Sequence, residues 1–315
     1  MVTVRLARMA MACRFELVLQ GEHEPWLRAA GEEALREIER LEQMLSIFRP
    51  GSDVSRINAR AAREPVRVNP TVFKWLEEAQ RLHRQTGGAF DLTIAPLMQA
   101  WGFYEDGGCL PDAAELAAAR RCTGMNLVEL DTANRTVAFQ REGMRLDFGA
   151  IGKGLAVDEA ISILREAGVE RAFLHGGTST MYGLGRPFDE PGWKVVVPYP
   201  DRPAEPVGVV TLVDESLSVS AVWGKSFEAE GRTLGHVLDP VKGRPVQGAV
   251  LAAVVDPSGT VADAVSTALL VRGSPFENSA IRSLVIVVDD ESDTYSILDA
   301  GLSADDHAVT RSAHS

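Results

Sequence analysis

The sequence predicts an α+β fold built mainly on antiparallel sheet, and three observations carry that expectation. Short apolar or alternating runs come in adjacent pairs joined by turn residues, at 128–139 and again at 284–288 with 294–298, the pattern of hairpins. Helical stretches are interspersed among these pairs, which suits antiparallel sheet with helices packed on it. Neither GxGxxG nor GxxxxGK[ST] occurs, so the parallel-sheet nucleotide folds lack their fingerprint.

The elements follow in order. FELVL at 15–19 alternates like a strand and ends at Gly21. Residues 25–45 read as a helix, with Leu27, Ala30, Ala34, Leu35, Ile38, Leu41, Met44 and Leu45 on its apolar side. A polar loop from Ser46 leads into a short helical turn near Asn58. Asn69-Pro70 caps a helix through Phe73, Leu76, Ala79 and Leu82, which Gly87-Gly88 stops. Pro111 starts an Ala-rich helix that Gly124 ends.

Residues 146–177 form the most informative stretch. Leu146-Asp147 is extended, and a tight turn follows at Gly149-Ala150-Ile151-Gly152-Lys153-Gly154. An amphipathic helix then carries Ala156, Ala160, Ile163, Leu164 and Ala167 to Gly168, and Ala172-Phe173-Leu174 is a buried strand ended by Gly176-Gly177. Small residues at the turn allow close backbone approach, free amides at the helix start suit phosphate, and Lys153 adds a positive charge.

Residues 178–185 read as a turn or strand edge. Strands are expected at 193–197, 207–213, 217–223, 233–238 and 249–255. Thr260 is placed to cap a helix over 261–271, and Ser274-Pro275 to begin a short one. No fixed-period repeat, low-complexity segment or clean linker divides the chain.

The 315 residues carry a net charge of −12 and a pI near 5.1, which argues against nucleic acid or an anionic membrane as main partner. Cys13, Cys109 and Cys122 are widely spaced without metal-type spacing, as suits a reducing compartment. The N-terminus lacks an apolar run of signal-peptide length, and no stretch reaches membrane-span length. The chain reads as cytoplasmic, or exported where a signal segment has been removed.

Three further groups have chemistry. Asp263 and Thr267 are four apart on a helix and project from one face. Together they could share a hard cation such as Mg²⁺, or they could be a capping Asp and a Thr bonded back to its own helix. His236 ends a strand beside Asp239-Pro240, as a proton-transfer group or a structural histidine. Ala89-Phe90-Asp91 follows two glycines, with an aromatic able to stack on a heterocycle or to sit in the core.

Taken in order, TGGAFDLTIAPLMQAWGF, LDFGAIGKGLAVDEA, HVLDPVKGRP and ADAVSTALLV resemble motifs of the ApbE family of FAD:protein FMN transferases, over about residues 11–271. The resemblance implies T-fold-like antiparallel sheets with packed helices, two related halves around a flavin cleft. It implies one catalytic domain over 1–300 made of two intertwined subdomains, with a polar, disordered tail at 301–315. It implies FAD as substrate, with Mg²⁺ at its diphosphate. FMN would pass to a Thr or Ser hydroxyl of a target protein, with AMP released. Asp263 and Thr267 match the metal-binding acid and hydroxyl, and Ala150 a backbone-carbonyl ligand. Lys153 matches a lysine near the phosphates. Met11, Phe48, Ala89, Phe90 and Asp91 fall where the family holds FAD. His236 matches the histidine that activates the hydroxyl, so His236 and Asp263 are the expected catalytic pair.

The chain departs from the family pattern at several points. Met-Gly-Thr is here Met11-Ala12-Cys13, Gly-Gly-Asp is Gly176-Gly177-Thr178, and Thr-Ser-Gly is Val219-Ser220-Ala221. The usual tyrosine is Phe48. Two other readings accommodate these changes: an FAD pyrophosphatase yielding AMP and FMN, and a non-catalytic FAD-binding module.

Overall fold

The computed structural model describes residues 1–105, 107–199, 206–229, 231–277, 279–289 and 294–302. The chain forms two compact units, each drawn from separated segments. Met1–Leu41, Ile151–Ser220 and Gly248–Ser315 make the first, and Glu42–Ala150 with Ala221–Gln247 the second. The α+β class expected from the hairpins and helices is what is found.

The first unit is built on an eight-stranded sheet. Its order is Val2–Ala10, Cys13–Gly21, Ala172–Gly176, Thr180–Leu184, Glu215–Ala221, Ala249–Asp256, Arg282–Asp289 and Thr294–Ala300. Neighbours are antiparallel through the first five strands and again through the last three. Phe15, Leu17 and Leu19 are fully buried on one face of their strand, as the two-residue period requires. The opening strand went unread because Arg5 and Arg8 interrupt its apolar alternation; Val4 and Ala10 nonetheless face inward.

Thr180–Leu184 corrects the expected turn or edge. It lies inside the sheet, with all five residues buried. Gly183 is needed there, because a Cβ would come within 2.7 Å of Trp193 and 2.9 Å of Leu212. Those residues belong to the hairpin of Trp193–Pro198 with Pro206–Leu212.

Helices Gly152–Glu166 and Gly259–Arg272 pack against each other. Contact is so close at Gly154 that a Cβ would sit 2.3 Å from the Gly259 carbonyl oxygen. Gly259–Arg272 is buried on nearly every side, so its sequence shows apolar content without an amphipathic stripe. Ser258, not Thr260, caps it: the Ser258 hydroxyl accepts from the Val261 amide. Gly273 ends it in the left-handed conformation at φ 73°. No helix begins at Ser274-Pro275; residues 274–277 are irregular. Ordered chain runs past the expected boundary at 300, since Gly301 bridges to Ser283 and Leu302 is buried. The rest of the expected tail, 303–315, lies outside the described residues.

The second unit holds helices Asp53–Arg60, Pro70–Gln85, Ala95–Ala100 and Ala113–Arg121 beside a three-stranded antiparallel sheet of Val66–Arg67, Thr136–Phe139 and Val128–Asp131. Asn69 caps the Pro70 helix as read, and Asp112 with Glu115 forms a capping box on the Ala-rich one. The strand expected at 233–238 is two short strands, Arg232–Gly235 and Leu238–Asp239. The first pairs with Ser226–Ala229, which the sequence reading missed.

Candidate active site

In the first unit, Asp263 sits one turn into the Gly259–Arg272 helix and is only 4% exposed. Its Oδ2 accepts the Gly154 amide at 2.9 Å, and its Oδ1 accepts the Ser218 hydroxyl at 3.2 Å. Burial pushes its carboxyl above the ordinary aspartate range, while Lys153, the Gly154 amide, Ser218 and Thr180 pull the other way. A carboxylate so buried needs such partners to stay ionised. The helix-start amide of Gly154 is therefore spent on Asp263; the sequence reading had left it free for phosphate.

Thr267 lies one turn on. Its hydroxyl bonds Ser220 Oγ at 3.2 Å and leans back on the Asp263 carbonyl at 3.3 Å. Ser220 also bonds Ser266 at 2.8 Å. The first unit thus puts Asp263 and Thr267 on one helical face, as their spacing requires, lines them with hydroxyls, and sets Lys153 of the Gly152–Glu166 helix beside Asp263. These hydroxyls went unread, although the signal was there. Ser216, Ser218 and Ser220 alternate along the strand Glu215–Ala221, which puts three hydroxyls on one face. Ser216 bonds the Met181 carbonyl, and the other two turn to Asp263 and Thr267. Val219 occupies the intervening position, so replacing a family threonine there leaves the neighbouring Ser218 and Ser220 hydroxyls in place.

Asp158 is a second residue the sequence reading missed. Its carboxylate accepts from the Gly259 and Thr260 amides and from the Ser258 and Thr260 hydroxyls. It fixes the start of the helix that carries Asp263.

Met11 and Ala12 form the two-residue turn of the first hairpin, at φ 51° and 57°, closed by the Ala10–Cys13 pair. Two left-handed residues define the turn type that favours Asn and Gly. Ala12 holds that conformation with a Cβ.

The remaining expected residues belong to the second unit. Ala150 is its last residue before the chain passes at Ile151 into the first. Phe48 is 71% exposed and meets Tyr104 edge-to-face at 5.7 Å between centroids. The Tyr104 hydroxyl donates to Asp147 Oδ2 at 2.6 Å, and Asp147 Oδ1 accepts the Gly149 amide at 2.8 Å. Burial first, then Asp147, raise the Tyr104 hydroxyl far above its ordinary range, so it stays a donor. Through Tyr104 and Asp147, the aromatic face at Phe48 is tied to the turn that contains Ala150.

Ala89, Phe90 and Asp91 are buried, Phe90 to 1%. The Phe90 ring is thus a core group, and the segment presents backbone more than ring. The Asp91 carboxylate accepts from the Thr93 amide and hydroxyl and from the Met125 amide, and faces His83 Nδ1 at 3.3 Å. Burial raises its pKa, while Thr93, His83 and Met125 oppose the rise.

His236 is partly exposed, and its Nδ1 lies 3.1 Å from the Lys225 carbonyl oxygen. A carbonyl only accepts, so Nδ1 carries a proton and this contact orients the ring. The His236 amide also donates to Lys225 O at 3.0 Å, and Lys225 Nζ in turn reaches the Phe103 carbonyl.

Among the described residues, no group of three or more His, Cys, Asp or Glu side chains is arranged to hold a metal, and no helix is long and apolar enough to cross a membrane.

Comparison with known proteins gives a consistent result. Residues 9–284 match the model of the ApbE family. The FAD:protein FMN transferase of Klebsiella pneumoniae (strain 342) is 33% identical over 210 residues, 66% of this chain and 64% of that protein. The match thus spans just under two thirds of that relative's length. The FAD:protein FMN transferase of Vibrio cholerae serotype O1 is 29% identical over 266 residues, 81% of this chain and 78% of that one. The crystal structure of the ApbE protein from Thermotoga maritima superposes with a TM-score of 0.85 at 25% identity, covering 94% of this chain and 97% of that one. The apo form of Pseudomonas stutzeri flavinyl transferase ApbE gives 0.82 at 26% identity, covering 95% and 94%.

Proposed function

Since the chain belongs to the ApbE family, we propose that it is an FAD:protein FMN transferase. It takes FAD as flavin donor, joins FMN to a Thr or Ser hydroxyl of a target protein and releases AMP. In that step the acceptor oxygen forms a bond to the phosphorus of the FMN half. The bond from that phosphorus to the bridging oxygen breaks, and AMP leaves with that oxygen. His236 Nε2 takes the hydroxyl proton, while Nδ1 is engaged by the Lys225 carbonyl.

The buried Asp263 carries this reading. A carboxylate 4% exposed, ringed by Gly154, Ser218 and Thr180 and set beside Lys153, is costly to bury, which suits a ligand-binding role. Its oxygens and the Thr267 hydroxyl suit a hard cation, and a single carboxylate leaves room for phosphate oxygens in the remaining positions. Asp263 and Thr267 are therefore the proposed Mg²⁺ ligands, and the family resemblance adds the Ala150 carbonyl. Mg²⁺, when bound, would neutralise diphosphate charge. Lys153 adds positive charge for the same phosphates, while Met11, Phe48 and the 89–91 segment hold the rest of FAD.

The test is incubation with FAD, Mg²⁺ and an acceptor domain, read by mass spectrometry. A covalent FMN adduct with stoichiometric AMP supports transfer. AMP and free FMN without an adduct would instead make the protein a hydrolase. His236→Ala should slow adduct formation at least about a hundredfold while FAD affinity changes little, as expected for loss of a general base. Equal loss of both would make His236 a binding group.

A further inference from the structure

Arginines in this chain habitually pair with carboxylates: Arg8 with Glu39, Arg81 with Glu78, Arg282 with Glu215. A cavity of about 970 Å³ inside the second unit breaks the habit. Arg84, Arg120, Arg121 and Arg141 line it, and none of the four forms an ion pair among the described residues. Two are instead anchored by backbone. Arg120 donates to the Val241 carbonyl at 2.9 Å, and Arg141 to the Arg121 carbonyl at 2.8 Å. Such anchoring orients a guanidinium without neutralising it.

The wall's single acidic side chain is Asp91, which offers little compensation. It is buried, and its oxygens are already occupied by Thr93 and Met125. On a protein of net charge −12, four arginines bordering one cavity without an ion pair among the described residues mark attraction for an anion. The cavity also has an apolar component from Met125 and Val241. Its volume is that of a small-molecule site, far larger than an inorganic ion needs.

We propose that this cavity binds a small organic phosphate, its phosphoryl group held by the arginine forks and its body by the apolar wall. Guanidinium suits phosphate through paired N–H donors, and a dianion uses several cations where a carboxylate uses one. Of the residues assigned to FAD only Asp91 borders the cavity, and its carboxylate is internally committed. The site is thus separate from the flavin chemistry, and the proposal stands whether or not transfer is the activity.

The experiment is isothermal titration of the full chain, saturated with FAD, using phenyl phosphate, benzoate and phenol as probes. Phenyl phosphate should bind at one site, benzoate more weakly and phenol not measurably. The double variant Arg84→Ala/Arg121→Ala should raise the phenyl phosphate Kd about tenfold or more, as expected for loss of charge-assisted contacts. Its FAD affinity and melting temperature should stay unchanged, since both side chains are exposed. Benzoate binding as tightly as phenyl phosphate would overturn the phosphate assignment. Absence of phenyl phosphate binding, or an unchanged Kd in the variant, would overturn the site. A parallel loss of FAD affinity would make the cavity part of the flavin site and end the claim of a separate one.

Discussion

Ala12, at φ 57°, occupies a position where a Cβ costs about 1 kcal/mol relative to glycine. Ala12→Gly should therefore raise unfolding stability by up to about 1 kcal/mol, offset in part by the freer unfolded chain. Urea denaturation would measure it, and a fall in stability would show that the turn is not strained. Asp263 poses the opposite case, a residue kept at the expense of stability. Burial raises its folded pKa above the unfolded value, so the folded state binds more protons than the unfolded one in the window starting near the ordinary aspartate pKa and extending above it. Stability contributed by this group consequently falls as pH rises through that window, and the ionised form is a net burden at neutral pH. Asp263→Asn should melt at the same or a higher temperature than wild type at pH 7, with the difference shrinking toward pH 4, while losing metal-dependent FAD binding. A large drop in melting temperature at pH 7 would mean that the carboxylate is structural.

At the scale of elements, the site depends on two helices held close enough that only glycine fits between them. Gly154→Ala would drive a Cβ against Gly259 backbone, at 2.3 Å from its oxygen and 2.7 Å from its carbon. Backbone cannot swing aside as a side-chain tip can, so a loss of about 2–3 kcal/mol is expected. Circular dichroism melts would read that loss, and FAD affinity should fall with it because the Gly154 amide holds Asp263. Asp158 acts one step further out, through the four donors it gathers at the start of the Asp263 helix. Asp158→Ala should cost about 2 kcal/mol or more, combining a lost cap with unpaired donors. Asp158→Asn, which preserves shape but removes charge, should recover part of it. Equal effects of the two substitutions would remove the charge from the explanation.

For the molecule as a whole, FAD binding and folding are linked. A ligand at a hundred times its Kd stabilises the native state by about 2.7 kcal/mol. FAD with Mg²⁺ should accordingly raise the melting temperature, and EDTA should cancel most of the rise in wild type. In Asp263→Ala, the smaller FAD shift should be indifferent to EDTA. An EDTA-independent shift in wild type would remove the metal from the reading. The acidic balance of the chain, −12 overall, also sharpens the contrast with the arginine-lined cavity, where positive charge is concentrated without counter-charge.

The sequence by itself determined the class and most elements. Periodicity and caps are local, so the 25–45 helix, the Asn69-Pro70 start and the closing hairpin were legible without any partner. The four-residue spacing of Asp263 and Thr267 fixed their common face for the same reason. Other features depended on neighbours distant in sequence, and only the tertiary structure decided those. Thr180–Leu184 read as an edge because its glycine looks like a turn, yet packing against Trp193 and Leu212 makes that glycine a requirement of the sheet interior. Thr260 looked like a cap, yet the helix already begins at Gly259, which puts Ser258 at the capping position, and both hydroxyls donate to Asp158, about a hundred residues away. Partners of a buried charge are chosen by three-dimensional proximity, to which a one-dimensional pattern of residue types is blind.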